Sequence, residues 1–332
     1  VVDSVPPRRF APFIAKKCFA VLGQSSNGRA DKSQAITLTP QPKVNSSMIK
    51  RSSFFFLCSI VFFSSGLHAQ SVKGKTDRAL TKKLAGLSKD FKGSYGIYVR
   101  NLKTGAMAEI NPDTLFPTAS IIKVPILCAL FDRIDRGALK YSQEMVYRDS
   151  MAYGGAGVAH LFKDSAKVPL SELLWLMIAI SDNTAALWCQ FLAGTGTAVN
   201  EWLEKNRFHE TRVNSRTPGR EANRSEYGWG QTTPREMAEL LALIREGKAV
   251  NAEASEEMYR VLSKPYWDVE ALSQIPPTIH VAAKNGAVNA SRSEVVLVNA
   301  PSGDYVFCII TKNQQDQRWE HDNDGYVLIR NV

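Results

Sequence analysis

Histidine and cysteine are too few and too dispersed here for several common chemistries. Five histidines, His68, His160, His209, His280 and His321, are scattered along the chain, and no His-x-His-x-Asp run occurs. A hydrolytic zinc centre of that kind is thereby excluded. No Gly-x-Ser-x-Gly stretch is present either, which excludes a histidine-based hydrolase built on a nucleophile elbow. The loop Gly154-Gly155-Ala156-Gly157 has no strand before it and no Lys-Ser/Thr after it, so it is not a phosphate or dinucleotide cradle. Of five cysteines only Cys128, Cys189 and Cys308 lie beyond residue 69. That odd number, each in an apolar run, predicts buried free thiols rather than a disulfide framework. No His/Cys cluster accompanies them, and neither a metal nor another cofactor is expected.

Long apolar runs are also missing. The longest, residues 54–63, is half of what a spanning helix needs. It follows Met48-Ile49-Lys50-Arg51 and leads to Leu67-His68-Ala69-Gln70. A charged start, a short apolar core and a small residue before a cut site read as an export signal over 48–69, cleaved after Ala69. Residues 1–47, rich in Pro, Ser and Lys/Arg, are then an upstream extension without ordered structure, with translation expected from Met48. The working chain is 70–332, periplasmic or secreted, with no stable membrane span. The formal charge of +9 has the same origin. Nine of the 41 basic but only two of the 32 acidic residues precede Gln70, leaving 32 against 30. A near-neutral remainder gives no support for nucleic-acid binding.

From Gln70 the periodicity is legible. Leu80, Leu84, Leu87 and Phe91 predict a helix over 75–92. Alternation predicts strands over 94–100 and 106–110, joined by a turn as a hairpin. Helices are expected over 121–136, 169–180, 185–192, 199–206 and 234–246. Strands follow over 278–283, 294–299 and 305–311, then a closing helix containing Trp319 and residues 326–332. One antiparallel sheet built from both chain ends is therefore expected, flanked by helices, with an inserted all-helical subdomain over about 118–257: an α+β arrangement, α/β in the broad sense. A monomer is expected.

Within this frame stands Ser120-Ile121-Ile122-Lys123. Three-residue spacing puts both side chains on one helix face. A desolvated lysine amine can then take the serine's proton and make it an acyl-accepting nucleophile. Helix 121–136 is apolar over most of its circumference and should be buried. Its entrance carries the positive end of the helix dipole, which favours developing negative charge. Taken alone, the pair reads equally as a helix cap with a surface lysine. Ser181-Asp182-Asn183 follows 61 residues after Ser120, and Lys284-Asn285-Gly286-Ala287 begins 103 residues further on, at the expected end of a strand. Alone these read as an N-cap and an ordinary loop.

Together, Ser-x-x-Lys, Ser-Asp-Asn and Lys-x-Gly in this order resemble the penicillin-recognising serine hydrolases, and their spacing is most similar to class A β-lactamases. The resemblance covers nearly all of 70–332 and implies a β-lactamase/transpeptidase-like fold. It implies Ser120 as nucleophile and Lys123 as its base or base partner. Ser181 would relay a proton to the leaving nitrogen, Asn183 would hold the substrate's amide side chain, and Lys284 would attract a carboxylate and tune Ser181. Asn285 stands where Thr or Ser is usual, Gly286 lets the strand approach the substrate, and the N–H groups of Ser120 and Ala287 would form the oxyanion hole. Arg292 either helps to bind a carboxylate or is a surface strand residue. The loop glutamate that activates the deacylating water in class A enzymes has no clear counterpart. Pro218 stands two after Arg216, and Glu221 and Glu226 are the nearby carboxylates. The implied substrate is a small β-lactam or a cell-wall peptide. The readings are a β-lactamase, a penicillin-binding peptidase or related serine esterase or amidase, or a binding protein that stays acylated.

Overall fold

The computed structural model describes residues 74–332. The expected extension (1–47) and export signal (48–69) lie outside the described residues. The first helix, α1, spans Arg78–Ser88, capped by Asp77, whose carboxylate accepts from Leu80 N at 2.9 Å. It is shorter than the 75–92 expected, because that cap fixes its start. Strands β1 (Ser94–Asn101) and β2 (Met107–Ile110) form the expected hairpin. The two-residue β3 (Phe116–Pro117) then leads into a 3₁₀ turn, Ala119–Ile122, and helix α2, Lys123–Asp135. Ser120 therefore stands in a tight turn ahead of the α-helix. Pro125 falls in the first turn of α2, where a missing N–H costs no helical bond. Every residue from Lys123 to Phe131 is buried. Gly137, at φ +73°, stops the helix in a conformation that favours glycine.

Strands β4 (Glu144–Val146) and β5 (Lys167–Pro169) make a small ribbon ahead of α3 (Leu170–Ala179), α4 (Asn183–Leu192) and α5 (Thr195–Lys205). Then come β6 (Arg212–Val213), α6 (Glu221–Tyr227), β7 (Gly230–Thr232), α7 (Pro234–Arg245) and α8 (Ala252–Leu262). The chain closes with β8 (Val281–Val288), β9 (Ser291–Val298), β10 (Tyr305–Lys312) and α9 (Asp324–Asn331), and Trp319 lies outside that last helix. The short α6 and the amphipathic α8 add to the expected helices. Strand β8 runs five residues further than expected, so Lys284-Asn285-Gly286 sits inside it rather than at its end.

The main sheet has the order β2-β1-β10-β9-β8, with antiparallel neighbours, and is built from both chain ends as expected. Alternate residues feed two cores. Ile97, Val296, Val298 and Ile309 pack with Leu84 of α1 and Leu328 of α9, while Tyr98, Val295, Leu297 and Ile310 pack with the central helices. Covered on both faces, β9 is buried at all eight positions. Helices α2, α3, α4, α5, α7 and α8 share the larger apolar core. β8 is an edge strand, and the 3₁₀ turn bearing Ser120 lies against it. An added Cβ on Gly286 would fall 2.8 Å from Thr118 O and 2.9 Å from Ser120 N. Cys128, Cys189 and Cys308 are buried free thiols, and burial raises the pKa of each. Among the described residues no helix is long and apolar enough to cross a membrane.

Candidate active site

Three segments converge on one cleft. The 3₁₀ turn supplies Ser120, the α3–α4 junction supplies Ser181 and Asn183, and β8 supplies Asn285, Gly286 and Ala287. At the centre is the Lys123 ammonium, on a side chain with no exposed surface. Its Nζ lies 3.0 Å from Ser120 Oγ, 3.0 Å from Ser181 Oγ, 2.7 Å from Ser181 O and 3.0 Å from Asn183 Oδ1. Four oxygens surround a group with three protons at most. When the amine is neutral, a serine hydroxyl can turn its proton toward the nitrogen. Burial lowers the pKa of Lys123 well below its usual value, and the positive charge of Lys284 lowers it further, against a partial offset from Asp182.

The backbone is strained at Ser181 and at the residue before Ser120. Ser181 has φ +59°, and Ala119, just before the nucleophile candidate, has φ +45°. Side-chain-bearing residues rarely adopt this region. Local bonding holds Ser181 there. Asp182, fully buried, accepts from Ala185 N at 2.8 Å as the N-cap of α4. Its other oxygen accepts from Val158 N at 2.5 Å and Ala159 N at 2.7 Å. Thr184 Oγ pairs with both the N–H and the carbonyl of Tyr153, and Asn183 Nδ2 donates to Gly154 O at 3.2 Å. The glycine-rich loop, without chemistry of its own in the sequence, is thus clamped over the cleft by the Ser-Asp-Asn segment.

Lys284 is 1% exposed. Its ammonium donates to Asn285 O at 2.8 Å and Asn285 Oδ1 at 3.1 Å; among the described residues no bond joins it to Ser181. Burial brings its pKa down to about 7, with Glu294 opposing. Glu294 is pushed up to about 8 by burial, with the Ala271 N–H opposing. Arg292 departs from both expectations. It is neither on the surface nor directed at a ligand, because its strand is covered on both faces. Its guanidinium donates to the carbonyls of Ser291 (2.9 Å) and Arg318 (2.6 Å) and stacks against Trp319 and Tyr326.

The loop after β6 is knit by amides. Arg220 donates to Asn214 Oδ1 (3.0 Å) and to Gln231 Oε1 (2.7 Å), and Asn223 Nδ2 also donates to Gln231 Oε1 (3.0 Å). Glu221 faces solvent and accepts from Gly219 N. Glu226 lines the cleft but makes no bond to Ser120 or Lys123. The Trp229 ring lies 5.9 Å from Lys123 Nζ and packs edge-on against Tyr153. Sequence reasoning missed Trp229, since an aromatic near a Gly-x-Gly turn carries no period that marks it. The cleft has two lobes. One of about 650 Å³ runs past Tyr153, Glu226 and Trp229, and one of about 550 Å³ runs past Ser181, Asn285 and Trp267. They meet at Ser120, Gly155, Asn183 and Ala287.

Comparison with known proteins fits this geometry. The model of the "Beta-lactamase enzyme family" matches residues 79–332. The chain belongs to that family. Beta-lactamase VEB-1 of Pseudomonas aeruginosa is 22% identical over 241 residues, 69% of this chain and 80% of that protein. The solved structure of PBP-A is 24% identical with a TM-score of 0.69, covering 77% of this chain and 94% of PBP-A. A point mutant of PBP-A, solved as an acyl-enzyme complex with penicillin G, has a TM-score of 0.68 at 24% identity over the same shares. At these identities the structural matches establish the fold, which is β-lactamase/transpeptidase-like, and the family match makes the chain a β-lactamase-like serine hydrolase.

Proposed function

We propose that the protein is a serine acyl-transfer hydrolase of class A type, opening the β-lactam amide through an acyl-enzyme on Ser120. The observation that carries this reading is the buried Lys123 amine, 3.0 Å from both Ser120 Oγ and Ser181 Oγ. A proton passes from Ser120 Oγ to the neutral amine as the oxygen attacks the lactam carbonyl carbon. The developing oxyanion is met by the N–H groups of Ser120 and Ala287. As the C–N bond breaks, the amide nitrogen takes the Ser181 hydroxyl proton, and the Lys123 ammonium restores it. Lys284 keeps Lys123 poorly protonated, Asn183 orients the substrate amide, and Asn285 and Gly286 form the wall beside it. Arg292 acts only by supporting that wall. Delivery by the 48–69 signal would place the reaction outside the cytoplasm, where β-lactams and cell-wall peptides are met.

A second reading is favoured by the surroundings of Lys123. None of its four partners is a carboxylate, and the Trp229 ring lies 5.9 Å from its Nζ. Water activation would then fall to Glu226 across the cleft, and the acyl-enzyme would be long-lived, as in a penicillin-binding peptidase or a protein that stays acylated. Mixing purified protein with a chromogenic lactam, while following turnover and intact mass together, separates these. Many turnovers per molecule support the lactamase. A stoichiometric burst with a stable adduct supports the second reading. An adduct that persists in Ser120→Ala would overturn both.

A further inference from the structure

The smaller lobe of the cleft is walled by aromatic side chains that stay partly open to solvent. Trp267 is 44% exposed and Trp319 58%, a large apolar area left facing water beside a reactive serine. Single exposed apolar residues need no explanation, but indoles gathered in a cavity with a nucleophile do. Both are held in place. Trp267 Nε1 donates to Ile180 O, and the neighbouring Tyr266 N donates to Ala179 O at 2.9 Å, so this wall is tied to the chain just before Ser181. Trp319 Nε1 donates to Asn289 Oδ1, and its ring rests on the Arg292 guanidinium, 4.7 Å away, with Tyr326 on the same cation at 4.6 Å. Arg292, one expected use of which was to bind a carboxylate, is a strut for the wall.

The charge of the lobe agrees. Lys284 spends its ammonium on Asn285, and Glu270 is paired with Arg330 at 3.1 Å. Among the described residues no guanidinium lines the lobe. Ser181 lines this lobe and not the larger one. If Ser181 protonates the leaving nitrogen, as in the function proposed above, this lobe holds the leaving-group side of the substrate.

We infer that the lobe is a subsite for a flat aromatic ring on the leaving-group side, received on the indole faces of Trp267 and Trp319. Stacking of this kind favours a ring over a methyl group by roughly 3- to 10-fold per indole.

The test uses two cephalosporins with the same acyl side chain, one with an arylvinyl group on the dihydrothiazine ring and one with a methyl group there. In the wild type the aryl compound should acylate Ser120 roughly tenfold faster or more at low concentration, and Trp267→Ala and Trp319→Ala should each remove roughly 3- to 10-fold of that preference. The methyl compound should be little affected by either change. Binding without chemistry is read by tryptophan quenching in Ser120→Ala, so the subsite is judged even if no adduct forms in the wild type. There the aryl compound should bind roughly 3- to 10-fold more tightly than the methyl one, and Trp267→Ala/Trp319→Ala in the same background should erase the difference. Equal binding of the two compounds in Ser120→Ala, or a preference that survives loss of both indoles, overturns the inference. Absence of any adduct on Ser120 with aryl preference intact in Ser120→Ala overturns the function and leaves the subsite standing.

Discussion

Gly286→Ala is the sharpest probe of the cleft. An added methyl would sit 2.7 Å from Ser293 Oγ, 2.8 Å from Thr118 O and 2.9 Å from Ser120 N. Two of these three are backbone atoms in a buried turn, which cannot swing aside as a side chain would. To reach ordinary contact, strand β8 and the turn must separate by about 0.5 Å or more. Relieving such overlap in a packed region costs about 1–3 kcal/mol. The functional cost is larger in proportion. Oxyanion donors work at about 2.7–3.1 Å, and the proposed donors, Ser120 N and Ala287 N, lie on the two sides of the contact being forced apart. Losing one donor lowers the rate about 10²- to 10³-fold. Acylation by a chromogenic lactam should therefore fall by about that factor, while the melting temperature falls by about 2–10 °C. Gly86→Ala is the control, because nothing lies within 4 Å of an added Cβ there and the site is inside α1. It should gain about 0.5–1 kcal/mol with acylation unchanged. Wild-type acylation in Gly286→Ala would refute the placement of the oxyanion donors.

Lys284→Met removes the charge that helps keep Lys123 deprotonated, so the acidic limb of the acylation pH profile should move to higher pH. A limb that stays put or moves down would show that Lys123 is not the titrating base. Stability should depend on pH in two opposed ways. Glu294, raised from 4.5 to about 8, holds a proton more tightly when folded, so its contribution falls as pH rises through that window. Lys284, lowered from 10.5 to about 7, holds its proton more tightly when unfolded, so its contribution rises with pH above 7. Glu294→Gln should flatten the fall between about pH 5 and 7 in thermal melts. Asp182→Ala strips the partners from the N–H groups of Val158, Ala159 and Ala185. It should cost about 3 kcal/mol or more, and a melting temperature within about 2 °C of wild type would count against the clamp.

What the sequence revealed depended on whether an element has one wet face. Helix α7 has one buried face and one wet one, and the β1–β2 hairpin is framed by a turn, so their expected bounds lie within a residue or two of those observed. Strand β9 is dry on both faces, so its pattern says nothing about which side each residue takes. That is why Arg292 could be placed in the strand's neighbourhood but not on a face. The short α6 has no buried residue and so no apolar period to find. The three motifs were legible because their chemistry is written in residue types at close spacing. Their convergence was not, because it depends on a 3₁₀ turn, two positive-φ residues and a carboxylate clamp between segments more than twenty residues apart. Trp229 and Trp267 joined the site through loops whose course no local pattern sets.

The central strand of the sheet is also its last. β10 lies between β1 and β9, so register across the middle is written more than 200 residues after the first strand is made. A chain stalled on the ribosome before Tyr305 would hold two separate hairpins, β1–β2 and β8–β9, with no strand to join them. Such distant pairing is slow to find. Protease challenge of stalled chains should therefore show the wall behind Ser120 becoming resistant only after the segment ending at Lys312 has emerged, so synthesis itself sets the moment at which the proposed nucleophile is first armed.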